Sequence, residues 1–200
     1  MGVVYMTLCH NGDNDICDSA RGHAEHGGLS AFGQEVVREM NALGMMIDMS
    51  HAAESSFYDA LALSQAPIVC SHSSSRALCS HPRNLTDDQM KALAAQGGVA
   101  QVTLYHGFLR HEGEATVLDA LDHLHHMVQV MGPEHVGIGT DFDGDGGVRG
   151  LKDASELIGF TRQLLRRRYS ESDLQGIWGG NFLRVMRQVQ SSATSHLGLS

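Results

Sequence analysis

The stretch GMMIDMSHAAESS, residues 44–56, is an apolar segment that stops at a histidine and continues in a helix-like pattern. A short apolar run of this kind, bounded by polar residues, is typical of a strand buried on both faces. The stretch APIVCSHSSSRAL, residues 66–78, repeats the arrangement, again with Ser-His where the apolar run ends. The two stretches therefore predict two neighbouring parallel strands, each with a histidine at its carboxyl end.

The same alternation of apolar runs and amphipathic segments extends through most of the chain. Several helices also carry end signals, with Ser or Thr before the first turn or Gly after the last; these are Ser30, Gly44, Thr86, Gly97 and Ser170. We predict strands at 3–8, 45–50, 67–71, 98–104 and 135–140, and helices at about 30–43, 53–64, 86–96, 116–131, 153–168 and 171–189. Strands separated by helices predict a parallel sheet.

Polar residues collect where these strands end. In a β/α barrel the carboxyl ends of the strands meet on one face, whereas an open doubly wound sheet usually adds a glycine-rich phosphate loop, and no G-x-G-x-x-G follows the first predicted strand. We therefore predict an α/β fold, a partial TIM-type (β/α) barrel with about five of the eight units and a carboxyl-terminal helix. Residues 1–189 form this incomplete barrel, and residues 190–200 are predicted to be a flexible tail. The polar strand ends are His10, His51, His72, Tyr105 with His106, and Asp141 with Asp143.

Composition excludes several classes of protein. The formal net charge is -9, from 14 Lys and Arg against 23 Asp and Glu, which disfavours nucleic-acid binding because phosphate neutralisation needs clustered cations. No apolar run is long enough to span a membrane and no signal peptide is recognised, so we expect a soluble chain, cytoplasmic by default. The 4 cysteines form no Cys-x-x-Cys pair and are expected to be reduced thiols.

His51 and His72 are candidate metal ligands, because they end consecutive strands and imidazole is a common ligand of zinc. Asp48 precedes His51 on the same strand. Its carboxylate is equally consistent with a buried hydrogen bond to the backbone and with the orientation of a metal ligand. His123 and His126 lie three residues apart on a predicted helix, and we interpret them as packing and surface residues.

The segment GTDFDGDGG, residues 139–147, has the beginning of a calcium loop. However, the twelfth position counted from Asp141 is Lys152, where the calcium loop requires a glutamate, and the segment leaves a strand and not a helix. Asp141 is therefore interpreted as a carboxylate at a strand end, followed by a tight glycine loop. No G-x-S-x-G elbow is present, so a metal-activated water is favoured over a serine nucleophile.

Five motifs together resemble the membrane dipeptidase (renal dipeptidase) family of zinc peptidases, and they occur in that family's order. The resemblance extends from Val3 to about Val189. It implies a β/α barrel that holds two zinc ions bridged by a glutamate and hydrolyses dipeptides. The motifs are YMTLCHNGDNDICDSA, GLSAFGQEVVREMNALGMMIDMSH, APIVCSHSSSRALCSHPRNLTDDQM, VGIGTDFDG and GGNFLRVM.

The resemblance also implies roles for individual residues. His51 and His72 resemble the two histidines that hold the second zinc ion. Asp141 resembles the catalytic aspartate that handles the proton of the attacking water and contacts the substrate. His10 resembles the histidine that contacts the substrate and polarises the scissile carbonyl. Arg83, in HPRN, resembles the arginine that pairs with the terminal carboxylate of the dipeptide.

One part of the family pattern has no counterpart, namely the His-x-Asp of the first strand and the bridging glutamate. We therefore expect at most one weakly held zinc ion and little or no activity from this chain. The alternative is a non-catalytic metal-binding or interaction fragment. We also expect unpaired sheet edges at residues 3–8 and 136–140 to favour self-association.

Overall fold

The computed structural model describes residues 2–193. Five strands form one sheet in the order β1-β2-β3-β4-β5, and every neighbouring pair is parallel. A parallel sheet in sequential order, without a reversal, is the topology of consecutive units of a β/α barrel, as predicted. The strands are β1 (Tyr5–Thr7), β2 (Met46–Asp48), β3 (Val69–Cys70), β4 (Val99–Val102) and β5 (Val136–Ile138).

Helices connect the strands. Three short turns accompany them, namely 3-10 turns at Pro133–His135 and Ala154–Glu156 and a π-helical turn at Gly176–Gly180. The helices are α1 (Ala31–Leu43), α2 (Glu54–Leu63), α3 (Asp87–Ala95), α4 (His106–Leu109), α5 (Val117–Met131), α6 (Leu157–Arg166), α7 (Glu171–Gln175) and α8 (Asn181–Ser191). The buried apolar residues form two clusters, of which the smaller packs α8 against β2, β3 and β4.

The predicted helix ends have the expected local chemistry. The Ser30 hydroxyl accepts a hydrogen bond from the Gly33 amide at 2.9 Å, and Gly44 ends α1 in the left-handed region with φ 67°. Thr86 and Ser170 each begin a helix through a capping box. These interactions satisfy backbone groups that would otherwise lack partners at the helix ends. They therefore determine where these helices begin and end.

The structure differs from the prediction toward the carboxyl end. The predicted helix at 153–168 is a 3-10 turn followed by α6, and the predicted helix at 171–189 is divided into α7, a π-helical turn and α8. Gly179 lies in this turn with φ 150°, a conformation that favours glycine. The predicted tail begins inside α8, which ends at Ser191, and residues 194–200 lie outside the described residues.

The strands are short, but backbone hydrogen bonds continue the sheet beyond their carboxyl ends. The amides of Leu8, Met49 and Gly139 donate to carbonyls of the neighbouring strands at 3.2, 2.8 and 2.9 Å. The segments that carry the candidate residues are therefore fixed to the sheet. Between residues 2 and 193, β1 and β5 each pair on one side, and self-association through these edges stays a prediction. No helix in that range is long and apolar enough to cross a membrane.

Candidate metal and substrate site

One cavity of about 910 Å³ lies at the carboxyl ends of the strands. Its lining brings together side chains that follow all five strands and one from the loop after β3, which lie far apart in the sequence. This is the face of a β/α barrel on which binding sites form. All five of the predicted site residues line it, namely His10, His51, His72, Arg83 and Asp141.

The imidazoles of His51 and His72 converge. Their Nε2 atoms lie 2.8 Å apart, and the ring centroids are separated by 4.9 Å. His51 is buried, and its Nδ1 atom has no hydrogen-bond partner in the part of the chain that the structure describes. A buried polar atom without a partner is rare and costs free energy. The two Nε2 atoms, by contrast, are partners of each other in one hydrogen bond, which a metal ion bound between the rings would replace.

The two imidazoles can provide part of the donor set of a metal site. Two nitrogen ligands of one tetrahedral zinc ion lie roughly 3.3 Å apart, and the observed 2.8 Å approaches that separation. Within residues 2–193, no group of three or more His, Cys, Asp or Glu side chains is arranged to hold a metal ion. His51 and His72 thus fit as two of the donors of a metal site and do not form a complete donor set.

Two of the candidate residues have unusual backbone conformations. His51 has φ 74° and Asp141 has φ 57°, both in the left-handed region that residues other than glycine rarely adopt. The His51 carbonyl accepts hydrogen bonds from the Ala20 amide at 2.7 Å and the Ser19 hydroxyl at 3.2 Å. Such conformations cost free energy and are concentrated at functional sites.

The loop after Asp141 stabilises its backbone conformation. The amides of Gly144 and Gly146 donate to the Asp141 carbonyl at 2.9 and 2.6 Å. A Cβ atom at Gly146 would overlap the carbonyl oxygens of Thr140 and Asp141, so this close approach requires glycine. The glycine loop expected from the sequence therefore holds Asp141 at the edge of the cavity.

Asp48 is fully buried and makes the hydrogen bonds to the backbone that were one of the two alternatives left open by the sequence. Its Oδ1 accepts hydrogen bonds from the backbone amides of Ser50 at 3.0 Å and Ser71 at 2.9 Å. Its Oδ2 accepts from the hydroxyls of Thr7 at 2.7 Å and Ser71 at 2.5 Å. Hydrogen bonds to this carboxylate thus connect β1, β2 and the end of β3, and Ser71 also contacts the His72 ring.

Arg83 is a buried cation with few partners. It is only 3% exposed, and its Nε atom has no hydrogen-bond partner within residues 2–193. One amino group reaches the His72 carbonyl at 3.4 Å, and the guanidinium carbon lies 5.3 Å from the centre of the Phe108 ring. Because most buried charges are paired, the guanidinium is suited to an anionic ligand in the cavity.

Burial also sets the protonation of the site. It lowers the pKa of His51 to about 2, with a further contribution from the Arg83 charge, and the same causes lower the pKa of His72. Both imidazoles are therefore neutral near pH 7, which is the form that binds metals. Burial raises the pKa of Asp141 above its ordinary value, which makes this carboxylate a better proton acceptor.

The sequence did not identify several other residues of the cavity. The loop at 11–28 carries some of them. Its conformation depends on Asp13 and Asp18, whose carboxylates accept the backbone amides of residues 19 and 23 and of residues 26 and 28, respectively. The density of Asp, Asn and Ser in residues 11–19 was the available signal of a structured loop. The lining residues with polar or aromatic side chains that the sequence did not single out are Thr7, Asn11, Asn14, Arg21, Phe108 and Asp145.

The chain is similar to known peptidases. A family model described as membrane dipeptidase, peptidase family M19, matches residues 1–197. An uncharacterized dipeptidase of Schizosaccharomyces pombe is 42% identical over 197 residues, which are 95% of this chain and 47% of the yeast protein. Dipeptidase 3 of Mus musculus is 40% identical over 206 residues, covering 100% of this chain and 42% of the mouse protein.

Solved structures agree with the sequence matches. The probable dipeptidase PvdM of Pseudomonas aeruginosa superimposes with a TM-score of 0.91 and 31% identity, over 94% of this chain and 62% of PvdM. A metallopeptidase of Rhodobacter sphaeroides, solved with a phosphinate mimic of the dipeptide L-Ala-D-Ala, gives a TM-score of 0.79 with 30% identity, over 86% of this chain and 49% of that protein.

These similarities agree with the sequential parallel sheet and the cavity at its carboxyl ends. The chain spans about half the length of the curated relatives that it matches. The match to the family model nevertheless covers nearly all of its residues. The chain belongs to the membrane dipeptidase family, peptidase family M19.

Proposed function

We propose that this chain contributes the substrate-binding half and part of the metal site of a zinc-dependent dipeptidase. The observation that carries the proposal is the meeting of His51 and His72, with Nε2 atoms 2.8 Å apart, in the cavity that Arg83 also lines. The neutral imidazole pair suits a metal ion that activates the bond to be cleaved. The buried, partly unpaired cation suits a carboxylate on the same substrate. A dipeptide has this chemistry.

His51 and His72 would hold the metal ion through their Nε2 atoms. When bound, zinc lowers the pKa of a water molecule and polarises a carbonyl oxygen. Family membership implies a metal, and the choice of zinc rests on the imidazole donors. Because burial keeps both imidazoles neutral, they are available as ligands near pH 7 without prior loss of a proton.

Arg83 binds the carboxylate of the substrate in this proposal. A guanidinium presents parallel N–H groups that match the two oxygens of a carboxylate. The ring of Phe108 lies against the guanidinium and limits its movement. The Rhodobacter relative was solved with a dipeptide mimic, which supports the same class of ligand for this cavity.

Asp141 and His10 act on the reacting atoms. The Asp141 carboxylate accepts the proton of the attacking water, and its raised pKa favours this transfer. His10 lies beside His51, with ring centroids 4.4 Å apart, and donates a hydrogen bond to the oxygen of the scissile carbonyl. The proton held on Asp141 then passes to the nitrogen of the leaving amino acid.

The test is a zinc titration of the purified chain against a competing chelator, followed by calorimetric titration of the zinc-loaded chain with a dipeptide. We expect zinc binding that the double variant His51→Ala/His72→Ala loses, and dipeptide binding to the loaded chain. The absence of a three-residue donor group within residues 2–193 favours a second candidate, a metal-binding module that takes no substrate. Zinc binding without dipeptide binding would support that candidate, and no zinc binding would contradict both.

A further inference from the structure

Asp48 and Ser71 are connected to the His72 ring by a continuous chain of hydrogen bonds. We propose that these two residues are positioning residues that fix the tautomer and orientation of His72, so that its Nε2 atom carries a lone pair directed at the metal position. The tautomer follows from hydrogen bonds within this chain. The effect of the tautomer on metal affinity rests on the proposed function.

The first step of the argument is that the Asp48 carboxylate has only donors around it. Two backbone amides donate to Oδ1, at 3.0 Å from Ser50 and 2.9 Å from Ser71. Two hydroxyls lie at Oδ2, at 2.7 Å from Thr7 and 2.5 Å from Ser71. An ionised carboxylate only accepts hydrogen bonds and has about four positions at which to do so. All four are in use.

The second step concerns the single hydrogen of the Ser71 hydroxyl. Its Oγ lies 2.5 Å from Asp48 Oδ2, 3.4 Å from the Ser50 hydroxyl and 2.8 Å from His72 Nδ1. The short contact with a carboxylate takes the hydrogen, because hydrogen bonds to ionised acceptors are the shorter and stronger ones. The Ser71 oxygen is then an acceptor toward His72, so Nδ1 must carry the proton.

The third step follows from the chemistry of a neutral imidazole, in which one nitrogen carries a hydrogen and the other a lone pair. With the proton on Nδ1, the lone pair of His72 is on Nε2, which lies 2.8 Å from Nε2 of His51. The His72 backbone amide donates to the Ser50 hydroxyl at 3.0 Å. The backbone amide of Ser50 donates in turn to the Asp48 carboxylate. Asp48 is thus connected to the backbone of His72 through Ser50 and to its ring through Ser71.

The arrangement is asymmetric. Nδ1 of His72 has the Ser71 hydroxyl as its partner, whereas Nδ1 of His51 is buried without one in the described part of the chain. The structure thus fixes one ligand before any metal is bound. Carboxylates that act on metal-bound histidines typically change the metal affinity by about 10–100-fold. Here the effect passes through a serine hydroxyl.

The direct test is ¹⁵N NMR of the metal-free chain, which distinguishes the two tautomers of His72 by the chemical shifts of its ring nitrogens. The unaltered chain should show the Nδ1–H form. Ser71→Ala removes the acceptor and should give a mixture of tautomers. Asp48→Asn should favour the Nε2–H form, because an amide group donating to Ser71 would turn that hydroxyl toward His72 Nδ1. An Nε2–H tautomer in the unaltered chain would overturn the proposal.

The second test is the zinc affinity of the same variants by chelator competition. Ser71→Ala and Asp48→Asn should each weaken binding by about 10–100-fold, and the double variant should be little weaker than the worse single variant, because both residues act through one path. The matched control is Asp119→Asn, which alters a carboxylate outside the cavity lining that accepts an amide and a hydroxyl, both from Thr116 at 2.8 Å. It should leave the tautomer and the affinity unchanged.

These measurements separate the two proposals. If the unaltered chain fails to bind zinc but shows the Nδ1–H tautomer that Ser71→Ala disturbs, the proposed function fails and the positioning of His72 stands. If zinc binds and Ser71→Ala changes neither the tautomer nor the affinity, the positioning proposal fails and the proposed function stands. An equal loss of affinity in Asp119→Asn would identify a general loss of structure and would also overturn the positioning proposal.

Discussion

Two regions of the molecule bury histidine side chains, and they treat the ring nitrogens differently. On α5, His123 is 1% exposed, its Nδ1 accepts the Ser75 amide at 3.0 Å, and its Nε2 lies 3.1 Å from the Leu109 carbonyl. At the cavity, His51 is 9% exposed, yet its Nδ1 has no partner among the described residues and its Nε2 faces another imidazole. Burial is similar, but only the α5 site satisfies both nitrogens.

The loop after β3 repeats this contrast with two arginines. The Arg76 guanidinium contacts the Asn84 carbonyl at 2.9 Å, Glu54 at 3.0 Å and the Pro82 carbonyl at 3.2 Å. Arg83 is more deeply buried, but its Nε is unpartnered within residues 2–193. A buried polar group with a full set of partners stabilises the fold, whereas the atoms of His51 and Arg83 that lack a partner among the described residues belong to side chains that line a cavity, where a ligand can supply the missing partner. The following experiments test that distinction.

The largest effect is expected from the histidines of the cavity. His51→Ala or His72→Ala should each weaken zinc binding by more than about 100-fold, because a two-histidine site that loses one ligand retains little affinity. Chelator competition measures the change. His126→Ala is the control, since His126 lies outside the cavity lining and its Nε2 atom is 2.8 Å from the Asp87 carboxylate. Retention of the parental stoichiometry and affinity by both single variants would show that the pair does not bind metal.

The α5 histidine should behave in the opposite way. His123→Ala leaves the Ser75 amide and the Leu109 carbonyl without their partner and creates a cavity, so we expect a loss of about 3 kcal/mol in the free energy of unfolding. Urea denaturation followed by circular dichroism measures this loss. Zinc affinity should be unchanged in the folded protein. A stability close to that of the parent would mean that complete hydrogen bonding is a poor guide to structural roles here.

A smaller effect is expected from Arg83, the arginine that lines the cavity, on the binding of a dipeptide. Arg83→Ala should weaken the binding of a dipeptide such as Ala-Ala to the zinc-loaded chain by about 2 kcal/mol, roughly 30-fold, because charge-assisted hydrogen bonds are lost. Its melting temperature should hardly change. Arg76→Ala should show the reverse, with lower stability and unaltered binding. Calorimetric titration and thermal melts distinguish the two. A large fall in melting temperature for Arg83→Ala, with unaffected binding, would assign it a structural role.

The smallest effect concerns pH. Burial lowers the pKa of His123 below its ordinary value of 6.5, so the unfolded chain takes up a proton that the folded chain does not. The free energy of unfolding is therefore unaffected by this group above pH 6.5. Below pH 6.5 it falls by up to about 1.4 kcal/mol per pH unit, because only the unfolded chain is protonated at His123. His123→Gln keeps an acceptor and a donor but does not titrate, so stability should fall less steeply between pH 6.5 and 5.5. Equal slopes in urea denaturation would contradict this assignment.

Much of the fold was predictable because its signals are local. Each predicted strand contains an observed one, and Ser30, Thr86 and Ser170 begin helices where expected. The break at Gly176–Gly180 was missed because the helical pattern of apolar residues continues through it. The short helix α4 was missed because the residue before it, Tyr105, has no side chain that caps a helix and so gives no start signal in the sequence.

The site was predictable only in part. Strand ends and motif resemblance identified His51, His72 and Asp141, because parallel strands bring their carboxyl ends together. The partners of Asp48 were not predictable, since Thr7 is 41 residues and Ser71 is 23 residues away in the sequence. The position of Arg21 likewise depends on the long loop at 11–28, whose conformation is set by contacts across that loop.

The left-handed backbone at His51 and Asp141, with φ of 74° and 57°, has a consequence for protein engineering. Copying the side chains of this site onto regular strand ends of another scaffold would direct them incorrectly, because an extended backbone turns the Cβ atom elsewhere. A successful graft has to include the turns themselves, at residues 48–52 and 140–146. Asparagine and glycine are the substitutions with which those turns would best keep their shape, which makes them suitable inactive versions of the graft.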